Sequence, residues 1–244
     1  MRKKKLSQNF LINKDVARDI VDLLDLKPHD YVIEIGPGDG ALTSFLIEKT
    51  KNFLAVEYDH YYVNVLKKKF TNIKIIHKNI LDYDFSKLNK KVKLIGNLPY
   101  HLSKEILLLV DKNYKYFDSC VFMLQKELVE RIVACPGSAK RSRLTVTMGL
   151  RWDLRFKFNV PSKFFDPQPK VDSAIFEMKP HLKFQGMIKD FTKFDEMLKL
   201  LFSKKRKKIK NSVNDNVKQN FKFDYDKRVE DLTIPELIKL SDYF

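Results

Sequence analysis

The chain has 244 residues, 44% of them hydrophobic, with only 7 Gly and 9 Pro, which excludes a low-complexity or fibrous chain and allows a sizeable core. Lys plus Arg number 47 against 31 Asp plus Glu, a formal charge of +16 that points to a polyanionic partner. No apolar run approaches the roughly 20 residues that span a bilayer, and the basic start lacks a following signal-peptide core, so a cytoplasmic protein with no membrane partner is expected.

Short β-branched or aromatic runs at 31–35, 53–57, 73–77, 92–95 and 120–124 predict strands. Helix-length segments lie between and after them, at 41–49, 61–70, 103–111 and 126–134. This alternation predicts an α/β fold with a mostly parallel sheet and helices on both faces. After Pro136 and Gly137 comes a basic stretch, and then 144–152, 155–160 and 174–178 read as later strands of the same sheet. Beyond His181 the chain turns polar, with amphipathic helical patterns at 194–202 and 234–240. Two domains are expected, 1–182 with the sheet and 183–244 as a small helical domain. Cys120 and Cys135 exclude a disulfide framework and read as small buried hydrophobes. The five histidines and two cysteines show no paired ligand spacing, so no metal is expected. No long exposed apolar stripe stands out, and a monomer is expected.

Strand, then Glu34, Ile35, Gly36, Pro37, Gly38, Asp39, Gly40, then helix is the order that marks a nucleotide cofactor at the end of the first strand. Taken alone it is equally a tight turn. Its spacing is GxGxG rather than GxGxxG, and Pro37 removes one N–H from a loop that a pyrophosphate needs fully donating. S-adenosylmethionine carries no phosphate and tolerates this. Glu57 closes the second strand about 20 residues later, where a carboxylate can accept hydrogen bonds from ribose hydroxyls. Together the two features point to an adenosine-containing cofactor.

The fourth strand runs into Asn97, Leu98, Pro99 and Tyr100. Either this is a strand-terminating turn or it is an amine-methylation site. For the second reading, Asn97 Oδ1 and the Leu98 carbonyl would hold the two hydrogens of an exocyclic adenine amine. Pro99 would fix the turn, and Tyr100 would stack on the extruded base.

These residues resemble the ribosomal RNA adenine dimethyltransferase family, and within it the bacterial small-subunit branch. The resemblance rests on Gln8-Asn9-Phe10-Leu11, Glu34-Ile35-Gly36-Pro37-Gly38, Asn97-Leu98-Pro99-Tyr100, Met123-Leu124-Gln125-Lys126-Glu127 and the run from Phe165 through Asp166, Pro167, Gln168, Pro169, Lys170, Val171 and Asp172 to Ser173. It implies a Rossmann-like S-adenosylmethionine-dependent methyltransferase sheet. It also implies that Asn9, Leu11, Gly36, Gly38, Glu57 and Asn97 line the cofactor pocket and that Phe165 stacks on the target adenine opposite Tyr100. The family carries an Asp after the third strand for the cofactor's adenine amine, where this chain has Asn79, followed by Asp82. A neutral acceptor there implies weaker cofactor binding.

The erythromycin-resistance branch shares the cofactor and Asn-x-Pro-Tyr motifs but acts on large-subunit RNA. The Met123 to Glu127 run and Arg143-Leu144-Thr145-Val146 resemble the small-subunit branch instead. The implied reaction is dimethylation of two adjacent adenines in the 3′-terminal hairpin loop of small-subunit ribosomal RNA, on the immature subunit. A catalytically inactive assembly factor and a dehydrogenase are the readings from other classes; the intact motifs oppose the first and the loop opposes the second. Three basic segments are candidate RNA contacts or solvated faces. These are residues 2–5, then Lys140, Arg141 and Arg143, and the run Lys204-Lys205-Arg206-Lys207-Lys208, read as helical.

Overall fold

The computed structural model describes residues 9–71 and 73–244. The basic residues Arg2, Lys3, Lys4 and Lys5, together with Gln8 of the first motif, lie outside the described residues. In chain order the elements are β1 (Phe10–Leu11), α1 (Lys14–Asp22), β2 (Val32–Ile35), α2 (Thr43–Lys49), β3 (Phe53–Glu57), α3 (His60–Lys69), β4 (Lys74–His77), β5 (Val92–Asn97) and α4 (Ser103–Lys112). There follow β6 (Phe117–Gln125), α5 (Lys126–Ile132), α6 (Arg143–Gly149), β7 (Trp152–Val160), β8 (Phe165–Asp166), β9 (Ser173–Pro180), α7 (Phe191–Ser203), α8 (Asp215–Asn220) and α9 (Ile234–Ser241).

These elements form two compact units. One holds the described residues up to Val129 together with Arg155–Pro180; the other holds Glu130–Leu154 and His181–Phe244. Seven strands make one sheet in the order β4-β3-β2-β5-β6-β9-β7. The pairs β2–β3, β3–β4, β2–β5 and β5–β6 are parallel, and β9 joins β6 antiparallel. All four residues of β2 are buried, as expected of a parallel strand covered on both faces. The helices form where a cap and an apolar stripe coincide. Asn13 Oδ1 accepts from Val16 N at 2.9 Å to open α1, whose Ala17, Ile20 and Val21 face inward. These side chains join Leu46 of α2, Ile95 of β5, Val121 and Met123 of β6 and Ile175 of β9 in the core of the first unit.

In the second unit Asp190 caps α7 by accepting from both Thr192 N and Lys193 N, and Phe194, Met197, Leu198 and Leu201 form its buried stripe. A reciprocal Thr233–Glu236 capping box opens α9, with Pro235 in its first turn. Leu237, Ile238 and Leu240 of α9 pack with the α7 stripe and with Val146 and Leu150.

That last contact explains two corrections. Residues 144–152, expected as a strand, contain α6, because Ser142 and Thr145 form a capping box and Thr145 Oγ1 also donates to the Arg131 carbonyl. Thr145 and Met148, three apart on this helix, are buried together with Val146, and the strand begins only at Trp152. The boundary expected at residue 182 placed 130–154 with the sheet, whereas those residues group with α7 and α9 through the Val146 and Leu150 side chains. The basic run is not helical. The apolar stripe of α7 stops at Leu201, the helix ends at Ser203, and the run continues as turns to the isolated Lys208–Arg228 bridge. Cys120 is buried, which pushes its thiol pKa well up, but Cys135 is exposed rather than buried. Among the described residues no helix is long and apolar enough to cross a membrane, and no cluster of three or more His, Cys, Asp or Glu could hold a metal ion.

Ile95 sits at the centre of the sheet with no exposed surface. Ile95→Ala is expected to destabilise the first unit by about 2–5 kcal/mol, from lost transfer energy plus the cavity left behind. Urea unfolding followed by circular dichroism measures this.

Candidate active site

Strand β2 has β3 on one side and β5 on the other, so successive connections leave it in opposite directions along the sheet. In open α/β sheets that switch point is where ligands bind, outside the carboxyl ends of the strands. A cavity of about 310 Å³ lies there. Gly36 and Gly38 reach it from β2, Glu57 and Tyr58 from β3, Asn79 and Ile80 from β4, and Asn97 to Tyr100 from β5, while Asn9, Phe10 and Leu11 line it from the N-terminal side.

The turn after β2 needs its glycines. Gly36 has φ +63° with nothing within 4 Å of where a Cβ would stand, so the backbone is open to a close ligand. Gly38 has φ +57°, and a Cβ there would lie 2.7 Å from the Phe10 ring. The turn is held from below by Glu57. Its Oε2 accepts from Gly38 N at 3.0 Å and its Oε1 from Asp59 N at 2.8 Å. Glu57 is 4% exposed, and burial raises its pKa while the Asp59 and Gly38 N–H groups oppose the rise. A carboxylate has about four acceptor sites, so capacity for ligand hydroxyls remains after these two bonds.

Glu34 is a member of the cavity to which the sequence reading gave no role. It is 1% exposed on β2 and accepts from Thr43 Oγ1 at 2.6 Å. Burial pushes its pKa up to about 8; the Thr43 bond opposes this and the nearby Glu57 charge adds to it. Its one sequence signal is a carboxylate inside an otherwise apolar run.

At the end of β5 the Asn97 amide is oriented by the residue before β1: Nδ2 donates to the Asn9 carbonyl at 3.0 Å. This leaves Oδ1 as an acceptor with no donor among the described residues. Leu98 N donates to the Met123 carbonyl at 3.1 Å, and Leu102 N and Ser103 Oγ both donate to the Pro99 carbonyl, which closes the turn carrying Tyr100. Asn79 also lines the cavity, where its Oδ1 accepts from Leu81 N at 3.0 Å.

Phe165 is placed differently from the expectation. It is 3% exposed, pairs through β8 with Leu11 of β1, and packs in the core with Leu11, Met123 and Val160. So placed it does not line the cavity and offers no stacking face opposite Tyr100. Phe164 packs partly buried against the same cluster, with Lys163 Nζ 5.4 Å from its ring centre.

The basic candidates divide by their partners. Arg141 is 3% exposed, its Nε is buried without a hydrogen bond, and burial lowers its pKa, so it is not a surface cation. Lys140 pairs with Glu130 at 2.5 Å, Arg143 with Asp195 at 2.5 Å, Lys205 with Glu230 at 3.2 Å and Lys208 with Asp226 at 3.0 Å. Lys204, Arg206 and Lys207 are exposed, with no ion-pair partner among the described residues.

A switch-point cavity floored by a glycine turn with one N–H missing, and edged by an Asn-Leu-Pro-Tyr strand end, fits the S-adenosylmethionine-dependent methyltransferases. Within that class the residues 1–244 match ribosomal RNA adenine dimethylase, and the chain belongs to that family. A relative from Francisella tularensis subsp. novicida, named ribosomal RNA small subunit methyltransferase A, is 38% identical over 99% of this chain and 97% of its own. A second, from Francisella tularensis subsp. tularensis and bearing the same name, is 37% identical with the same coverage. Among solved structures, a dimethyladenosine transferase from Plasmodium falciparum superposes with a TM-score of 0.78 at 26% identity, covering 95% of both chains. The 23S rRNA methyltransferase ErmE, at 21% identity, superposes with a TM-score of 0.74 over 96% of this chain and 99% of its own, and shows the same fold.

The Glu34 environment has a pH signature. A carboxyl whose pKa rises from 4.5 to about 8 on folding binds its proton more tightly in the folded state, so its stabilising contribution is present below about 4.5 and is lost as pH rises through about 8. Cofactor-free protein should therefore lose stability across that window, by up to about 1.4 kcal/mol per pH unit, and Glu34→Gln should abolish that slope. Urea titrations at several pH values decide it; parallel curves for the two proteins would show that Glu34 titrates as an ordinary carboxylate.

Proposed function

We propose that this chain dimethylates N6 of two adjacent adenines in the 3′-terminal hairpin loop of small-subunit ribosomal RNA, as a step in maturation of the small subunit. The setting this reading implies is the cytoplasm, with the protein acting as a monomer. The observation that carries it is the Asn97 amide, whose Nδ2 is committed to the Asn9 carbonyl so that Oδ1 is left to accept.

An exocyclic adenine amine is a poor nucleophile because its lone pair is delocalised into the ring. Two acceptors that hold its hydrogens can aim the nitrogen, and Asn97 Oδ1 with the Leu98 carbonyl are suited to this. Tyr100 supplies a face for the extruded base, worth about 1–3 kcal/mol per stacked base. When bound, S-adenosylmethionine supplies an electrophilic methyl group on its sulfonium. Glu57 is suited to the ribose hydroxyls, Asn79 to the adenine amine, and Gly36 and Gly38 with Asn9 and Leu11 to the methionine end and its surroundings. The methylated amine loses its proton readily to water, so positioning replaces a dedicated base. For the RNA backbone, the free cations Lys204, Arg206 and Lys207 are the contacts this reading favours. The small-subunit target is supported by the names of the 38% and 37% identical relatives and by the Met123 to Glu127 motif.

Labelled methyl transfer to small and large ribosomal subunits that lack their own modification tests the reading. Signal at paired adenines of the small-subunit hairpin, lost in Asn97→Ala, is expected; signal confined to large subunits would assign the chain to the resistance branch. Replacing Lys204, Arg206 and Lys207 by Gln should reduce the salt slope of RNA binding by about 2, at roughly 0.7 per single-strand phosphate contact. Asn79→Asp should tighten S-adenosylmethionine binding about fivefold, because a charged acceptor adds about 1 kcal/mol over a neutral one. An unchanged calorimetric dissociation constant would remove Asn79 from the cofactor contacts.

A further inference from the structure

Three of the motifs are far apart in sequence, yet one run of hydrogen bonds gathers them. Tyr100 Oη lies 2.8 Å from Ser173 Oγ. Ser173 opens β9, has no exposed surface, and pairs in register with Gln125 at the end of β6. The preceding Asp172 accepts from Lys126 N through its carbonyl at 3.0 Å and from Ser162 N through Oδ1 at 2.8 Å. The turn after β5, the β6–α5 junction and the start of the 162–173 loop therefore meet at one point.

A stacking platform needs only an aromatic ring, and a phenylalanine at position 100 would present the same face. The hydroxyl is what distinguishes this residue, and its partner is Ser173. A serine hydroxyl fully buried at the start of β9 carries a desolvation cost that an alanine would avoid, unless the hydroxyl is bonded. The bond also fixes the ring at its far end, where χ1 and χ2 alone would leave it to pivot on the turn.

We propose that Ser173 is a positioning residue for methyl transfer: through Tyr100 Oη it holds the ring at the cavity in the orientation on which the target adenine stacks, without touching base or cofactor. This rests on the reaction proposed above. The test compares wild type, Ser173→Ala, Tyr100→Phe and the double variant for kcat and KM on small subunits, with S-adenosylmethionine affinity measured by calorimetry. Each single variant should lower kcat about ten- to hundredfold, since small displacements of a reacting group cost that much, while KM and cofactor affinity stay within about twofold. The double variant should be no worse than either single, because both substitutions delete the same bond. Full kcat in either single variant, or losses that multiply in the double, would overturn the proposal. Should Ser173→Ala lose cofactor binding through misfolding, Tyr100→Phe alone decides it, as its ring and backbone are unchanged. Failure of the underlying reading shows separately, in wild-type protein that transfers no methyl group to small subunits.

Discussion

The cavity exists because β2 and β5 lie side by side in parallel while the chain leaves β2 for β3 on one flank and returns to β5 on the other. Everything at the site hangs on how closely those two strands approach at their carboxyl ends. A Cβ on Gly96 would lie 2.7 Å from the Ile35 carbonyl oxygen, a backbone atom that cannot move aside. Only glycine permits the approach, and it stands immediately before Asn97. The same close packing that closes the sheet thus sets where the polar side chain emerges, and the turns after Ile35 and Asn97 open on one space.

Two buried carboxyl groups share that space, and a buried unpaired charge is costly. The structure separates their roles by their partners. Glu57 receives two backbone N–H groups, which favour its ionised form and at the same time hold the glycine turn. Glu34 receives one hydroxyl and is fully desolvated, so it resolves the cost by keeping its proton to about pH 8. A neutral Glu34 is a hydrogen-bonded part of the β2 wall, and Glu57, whose pKa burial also raises, keeps acceptor sites for a ligand beyond its two backbone bonds.

The sheet was legible because its signal is local. Each of β2, β3, β4, β5 and β6 is a short apolar run flanked by helix-length segments, and buried parallel strands need no finer pattern. The cavity lining was legible for the same reason, since Gly36, Glu57, Asn79 and Asn97 each sit at or just past the carboxyl end of a strand. What failed depended on tertiary partners. Residues 144–152 have the composition of a strand, and the Ser142–Thr145 capping box together with the core of the second unit made most of them a helix. Phe165 was expected to stack on the target base and Arg141 to contact RNA, yet each is buried. For Phe165 the cause is the β1–β8 ribbon, two residues on each side, too short to announce itself in the sequence. Cys135 erred the opposite way, because a rule about residue type says nothing of a turn that projects.

Charge shows the same limit in a form that matters for the proposed RNA contact. A run of lysines and arginines measures how much cation is present, whereas availability depends on acids from other segments. Glu130, Asp195, Glu230 and Asp226 each claim a cation from the basic segments. Lys208 and Lys210 even share the single carboxylate of Asp226. The three free cations follow the last turn of α7, where the helix dipole already favours positive charge and no apolar residue draws the side chains inward. Exposed ion pairs are worth only about 0–1 kcal/mol, so a phosphate could displace a carboxylate from Lys208 or Lys140 at little cost. The basic surface is therefore graded: Lys204, Arg206 and Lys207 are available at once, the paired lysines can be recruited, and Arg141 is withheld by burial.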